Sequence, residues 1–211
     1  MIVDPHTHTS VSSPCSSMSP EELVDAALRL GLDAIAVTDH GRIEGAEVTR
    51  ELGRKKGMLV LRGVEVYTGQ GDMLVYGVCE DIEPVESALD LIDWVHGRGG
   101  AVVAAHPFRG GFGLGARTRG FPPEDVLCAV DAIETFNGAD SSDARALAAG
   151  AAERLGRPVV GGSDAHHPLD VGRCATVLDR TVRSDEELVE ELRGGRLRGC
   201  TGPAAPRKRW W

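Results

Sequence analysis

Short apolar runs alternate along the chain with segments whose apolar positions recur every three or four residues. The runs, bounded by Gly, Pro or Asp, predict strands at Ile2–Asp4, Ala34–Thr38, Leu59–Tyr67, Met73–Val78, Ala101–Ala105, Ala132–Phe136 and Val159–Gly162, and weaker ones at Ala175–Leu178 and Arg198–Thr201. Helices fall between them. Ser19-Pro20-Glu21-Glu22 combines an N-cap, a proline at the first helical position and the glutamate of a capping box; Leu23, Ala27 and Leu30 follow before Gly31 stops the helix. Ser184 with Glu187 opens another helix, and Val85–His96 and Ala144–Leu155 carry helical spacing up to Gly97 and Gly156. Such alternation predicts an α/β domain with a mainly parallel sheet, as a barrel or an open sheet. In both, functional groups collect at the C-terminal strand ends.

Those ends carry ionisable groups: Asp4-Pro5-His6-Thr7-His8, Thr38-Asp39-His40, Gly63-Val64-Glu65, Ala105-His106-Pro107, Glu134-Thr135-Phe136-Asn137 and Gly162-Ser163-Asp164-Ala165-His166. On extended chain the spacing of two puts His6 and His8 on one face, able to share an ion, and Asp164 and His166 repeat the arrangement. Imidazole mixed with carboxylate suits zinc, manganese or iron. Ionisable groups directly after apolar strands are costly unless paired or ligating, so five histidines placed there, with Glu65 and Asp164, predict a metal site. His96, near a helix C-terminus, and His167, which merely follows the motif, are assigned no function.

Composition narrows the class. A chain of 211 residues with 42% hydrophobic and 26% charged residues fits one packed domain with no internal linker. No apolar run reaches the roughly 18 residues needed to cross a bilayer, and the N-terminus reads as a strand rather than a leader, so no membrane is expected and the cytoplasm is the expected location. The five cysteines are scattered without CxxC, which predicts neither disulfides nor a zinc ribbon, and most are expected to be small buried apolar groups. A net charge of −9 disfavours duplex nucleic acid as partner but permits small anions, because bound cations reverse the field locally. Arg207-Lys208-Arg209-Trp210-Trp211, within a tail of 202–211, reads as a solvated terminus or subunit contact in preference to a nucleic-acid stacking surface.

The motifs HTH, TDH, GVE, AHP and GSDAH, in that order over residues 1–201, resemble the polymerase and histidinol phosphatase (PHP) family. The resemblance implies a single-domain, distorted (β/α)7 barrel and a metal-dependent phosphoesterase with two or three divalent ions (Zn, Mn or Fe). By it, His6, His8, Glu65 and Asp164 would hold one ion, Glu65 would bridge to a second held by His106, His40 with His166 would hold a third, and Asp4 would orient a histidine. This chain departs from the pattern twice. Ser13-Pro14-Cys15-Ser16 stands where many members have Asp-Gly, so the third ion loses its acidic ligand and is expected to bind weakly, with Cys15 packed in its turn rather than ligating. Gly71-Asp72 stands where members often have a histidine; Asp72 is either a harder ligand for the second ion or a turn residue of a Gly-Gln-Gly-Asp hairpin.

The implied chemistry is in-line attack of a metal-bridging hydroxide on a small phosphorylated metabolite or nucleotide, with Asp164 or His166 relaying a proton. Arg109, in a glycine- and arginine-rich segment with Arg117 and Arg119, is the expected grip on substrate phosphate. Asn137 is expected to line the pocket or to cap the next helix. An amidohydrolase-type reaction on an amide or lactone would need a strand-end lysine, and Lys55, Lys56 and Lys208 do not supply one. The third alternative is a barrel that keeps its metals without catalysis.

Overall fold

The computed structural model describes residues 1–110 and 123–202. Arg117, Arg119 and the aromatic end of the tail lie outside the described residues. Nine strands form one sheet: β1 (Ile2–Thr7), β2 (Ala34–Val37), β3 (Leu59–Thr68), β4 (Gly71–Tyr76), β5 (Ala101–Ala104), β6 (Ala132–Asn137), β7 (Val159–Gly162), β8 (Cys174–Leu178) and β9 (Leu197–Thr201). The helices are α1 (Pro20–Leu30), α2 (Glu44–Lys56), α3 (Ala88–His96), α4 (Glu124–Ala129), α5 (Ser142–Leu155) and α6 (Asp185–Gly194). The order is β7-β6-β5-β4-β3-β2-β1-β8-β9, and the sheet curls into a nearly closed barrel. Asp164 N–H donates to His6 O at 2.8 Å and His8 N–H to Ala165 O at 2.9 Å, so β1 meets the end of β7 at the C-terminal rim. Below that seam β8 pairs antiparallel with β1, Ile2 opposite Val177, and the Thr176 hydroxyl exchanges hydrogen bonds with Gly161 N–H and C=O.

Local sequence accounts for most of this. Ser19 and Glu22 form the capping box of α1 and Gly31 closes it in the left-handed conformation; Ser87, Ser141 and Ser184 cap α3, α5 and α6. The sheet is less parallel than the alternation predicted. β3 turns directly into β4 through Gly69-Gln70, with Thr68 paired to Gly71, and β4 is antiparallel to both neighbours. The reversal puts the start of β4, where Asp72 sits, at the same rim as the ends of the parallel strands. Helix α2 carries little apolar periodicity because it buries Gly45, Ala46, Thr49 and Gly53. β1 runs on through Pro5 to Thr7 with an irregular register beside β2, which tolerates the missing N–H.

Apolar side chains form three clusters. One fills the barrel interior, with Leu61, Leu74, Tyr76, Val103 and Val160 above Leu188, Val189 and Leu192 of α6. The other two pack α3 and α4, and α1 and α2, on the outside. Tyr76 lies across the interior, its hydroxyl donating to Pro5 O at 2.8 Å; a Cβ at Gly63 would stand 2.9 Å from the ring, so glycine is required there. Polar groups also staple the outer layer. Both oxygens of Asp185 accept from Arg50 Nη2 at 2.7 Å, and Oδ1 also accepts from Arg62 N at 2.8 Å, joining α2, β3 and α6.

The cysteines are all free. Against expectation Cys15, Cys79 and Cys128 are exposed, and only Cys174 is buried; the exposed three sit on loops or a helix's outer face rather than in strands. No helix among the described residues is long and apolar enough to cross a membrane.

Candidate metal centre

Strand alternation puts Asp4, His6 and His8 on the inner face of β1, and all three are fully buried. Glu65 and Asp72 also face inward, because β3 pairs Glu65 with Leu74 and Tyr67 with Asp72. His106 and Asp164 follow β5 and β7 with φ of 28° and 55°. Positive φ is uncommon outside glycine, and aspartate and histidine are among the residues that adopt it most readily.

Eight predicted residues converge in three groups whose nitrogen and oxygen atoms lie within 4.8 Å of one another: His6, His8, Glu65 and Asp164; Glu65, Asp72 and His106; His8, His40 and His166. Glu65 belongs to the first two and His8 to the first and third. In the four-residue group, His6 Nε2 and His8 Nε2 are 3.1 Å apart. Glu65 Oε2 stands 3.5 and 3.2 Å from them, and Asp164 Oδ1 3.4 and 3.2 Å.

Those distances fit a divalent ion. His6 Nδ1 faces Glu134 Oε1 at 3.0 Å and takes the proton that the carboxylate accepts, which leaves Nε2 with a bare lone pair. His8 Nδ1 faces the Ser13 hydroxyl at 3.3 Å, and its Nε2 too is turned inward. The lone pairs of two such nitrogens and two carboxylate oxygens repel one another unless a proton or a metal ion stands between them. A tetrahedron of roughly 3.3 Å edge has its centre about 2.0 Å from each corner, the bond length zinc makes to nitrogen and oxygen. In the second group His106 Nε2 is 3.0 Å from Glu65 Oε1, while His106 Nδ1 is buried with no hydrogen-bond partner among the described residues.

Burial works against every charge here, and opposing neighbours decide the outcome. It drags His8 down, but the Asp164 and Glu65 carboxylates outweigh it and lift the imidazole to about 9. Burial alone would raise Glu65 and Asp164, yet His6 and the surrounding imidazoles hold both well below the usual carboxylate range. Asp72 goes the other way, pushed up to about 7 by burial and then by the Glu65 charge. Burial lowers His40 and His166, keeping them neutral.

The surrounding residues do work the sequence left unassigned. Asp4 accepts from the N–H groups of Ser163 at 2.9 Å, Gly172 at 2.8 Å and, at 3.4 Å, His6, and so locks β1 to the end of β7. Glu134 orients His6, and its other oxygen accepts from His106 N and Asn137 Nδ2, both at 2.9 Å. A fully buried carboxylate inside an apolar strand was the available signal. Asp39 accepts from Thr9 N and Oγ1, both at 2.6 Å, and from Ser13 Oγ at 2.8 Å, fixing the loop behind His8. Asn137 is fully buried and caps no helix, since Ser141 caps α5. Arg109 reaches Asp164, Asp140 and Asn137. Cys15 belongs to none of the three groups; although solvent-exposed, its thiol is pushed up by partial desolvation and then by Glu65, Asp164 and Asp39.

Gly45, in the first turn of α2, tests the support behind His8. A Cβ there would lie 1.8 Å from Asp39 Oδ2 and 2.5 Å from Thr9 Oγ1. Gly45→Ala is expected to destabilise the fold by about 1–3 kcal/mol through overpacking, read as a lower urea midpoint, together with weaker metal retention. An unchanged midpoint would mean that Asp39 has room to move.

The PHP domain family model matches residues 4–110, and the PHP-associated model matches 143–197. An uncharacterized protein of Methanocaldococcus jannaschii is 30% identical over 117 residues, 51% of this chain and 68% of that one. A two-domain protein from Bacteroides vulgatus containing a predicted PHP-like metal-dependent phosphoesterase superposes with a TM-score of 0.75 at 22% identity, over 96% of this chain and 65% of that one. The lesion-specific endonuclease EndoQ from Pyrococcus furiosus superposes with a TM-score of 0.63 at 17% identity, over 94% and 57%.

Proposed function

This chain belongs to the PHP family of metal-dependent phosphoesterases, and from that premise we propose that it hydrolyses the phosphate ester of a small metabolite or nucleotide. The observation that carries the reading is the sharing of His8 and Glu65, which strings three ligand groups into one continuous centre. Divalent ions held there supply a water acidic enough to attack at neutral pH and positive charge for the phosphoryl oxygens. Glu65 joins two groups because its oxygens point apart, Oε2 to His6 and His8 and Oε1 to His106. One nitrogen lone pair serves one ion, so His8 counts fully in only one of its groups. Two ions are therefore expected to be firm and the one beside His40 and His166 partial. Asp164 and His166 border the reacting centre; His166 Nδ1 donates to Asp164 O at 2.9 Å, which leaves Nε2 to accept a proton or a weak ion.

A cavity of about 580 Å³ opens from this centre, within the range of small-molecule sites. His40, Glu65 and Asp72 line it together with Tyr67, Ile82 and Pro84, a mixture that suits a phosphate carried on an organic group. At the rim Arg42 is held by Glu83 at 2.7 Å. The net charge of −9 favours a small substrate over a polyanion. A DNA phosphodiester is the second reading, since EndoQ shares the fold.

The test is hydrolysis by chain loaded with manganese or zinc, offered phosphomonoesters, small phosphodiesters, duplex DNA with an abasic site, and amides. Turnover of small phosphoesters alone is the expected result. Cleavage of DNA in preference moves the assignment to the second reading, and turnover of amides alone removes the phosphoesterase.

A further inference from the structure

Arg109 lies at the turn after His106, where a substrate's phosphate was expected to meet it, but its side chain is four-fifths buried and committed to the protein. Nε donates to Asp140 Oδ1 at 2.7 Å, Nη1 to Asp164 Oδ2 at 2.7 Å, and Nη2 to Asn137 Oδ1. Three of the roughly five N–H groups a guanidinium offers are thus in use. Each partner is itself fixed. The Asp140 side chain is almost fully buried. Asn137 gives its side-chain N–H to Glu134 Oε2 at 2.9 Å, and its main-chain carbonyl accepts from Arg145 Nη2 at 2.6 Å.

The two oxygens of Asp164 therefore do different things. Oδ1 faces the paired imidazoles, 3.2 Å from His8 and 3.4 Å from His6, and Oδ2 is taken by the guanidinium.

Resting on the reading of the centre given above, we infer that Arg109 is a positioning residue: it presents Asp164 to the ions through one oxygen only, and Asp140 and Asn137 hold Arg109 in place to do so. The network also reaches the other side of the site, because Asn137 shares Glu134 with His6 and His106. Arg109 thus acts on affinity for the ions before any substrate arrives.

The experiment compares wild type, Arg109→Ala, Arg109→Lys and Asp140→Asn, each stripped with chelator and titrated calorimetrically with Mn²⁺ in the absence of substrate, then assayed on p-nitrophenyl phosphate at saturating Mn²⁺. Arg109→Ala is expected to weaken Mn²⁺ binding by about 10–100-fold, as loss of a ligand's hydrogen-bond partner does, with KM little changed once the ions are loaded. Arg109→Lys should recover part of the affinity. Asp140→Asn, nearly isosteric and remote from the ligand atoms, should weaken Mn²⁺ binding in the same direction, and it decides the matter if Arg109→Ala does not fold. Unchanged Mn²⁺ affinity with a raised KM would overturn the inference and return Arg109 to the substrate phosphate. Wild type that takes up no Mn²⁺ would remove the metal centre itself, a failure separable from the first because no variant then differs.

Discussion

His8→Ala is expected to lower phosphoesterase turnover by more than the roughly 100-fold that marks the upper end of losses from removing a ligand's hydrogen-bond partner, and to lower the metal retained after dialysis. His8 is fully buried and contributes to two of the three ligand groups. Its loss leaves the four-residue group with two carboxylates and one imidazole, His6. His40→Ala gives the contrast: its side chain is 46% exposed and serves the outermost group alone, so the inner ions and most of the activity should remain. Metal analysis and steady-state kinetics on both variants, with circular dichroism as the check on folding, decide it. If His8→Ala keeps its metal and its rate, the shared-ligand arrangement is wrong.

Asp185→Ala is the second large effect, on stability rather than chemistry. The Asp185 side chain is 8% exposed, and Arg50 and Arg62 against it are 19% and 13% exposed. Removing the carboxylate takes away the nearest anion of Arg50 in a mostly dry setting, which costs about 3 kcal/mol, the lower end for a broken buried pair, because Arg62 keeps Glu47. Asp170 and Arg173 make a pair of nearly the same length, 2.8 Å, but Arg173 is 56% exposed, and Asp170→Ala should cost about 1 kcal/mol or less. Urea unfolding of the two variants beside wild type separates them. A loss as small for Asp185 as for Asp170 would show that water reaches the buried network.

The sequence made the strands and most ligands legible for a physical reason. A buried strand must be apolar, so an imidazole or carboxylate at its end stands out, and alternation tells which face it takes. All nine predicted strands form, within a few residues at their ends. Less could be read where the determining contact is distant in sequence. Asp4 was expected to orient a histidine; it accepts from the His6 main chain at 3.4 Å, but its shorter bonds come from Ser163 and Gly172 across the barrel seam, which no local pattern announces. The antiparallel course of β4 depended on whether Gly-Gln-Gly-Asp turned back at once, which the sequence left open and the pairing of Thr68 with Gly71 answers. Helix α2 escaped notice because it buries glycine, alanine and threonine, so no apolar stripe marks it. Arg109 pointed to phosphate by residue type alone; which anion it meets depends on Asp140, Asn137 and Asp164, none of them adjacent in the chain.

The seam between β1 and β7 also governs when the protein can begin to work. During synthesis the strand bearing His6 and His8 is made well before β8, and its lower edge waits for that strand, with Met1 N donating to Leu178 O across 177 positions. Asp164, which completes the four-residue group, emerges almost as late. Contacts of such long range close slowly, and until they form the edge of β1 stands open to other strands. The nascent chain therefore carries histidines able to catch a metal ion long before it has the carboxylate to seat one, and β2, already made, covers only the opposite edge of β1.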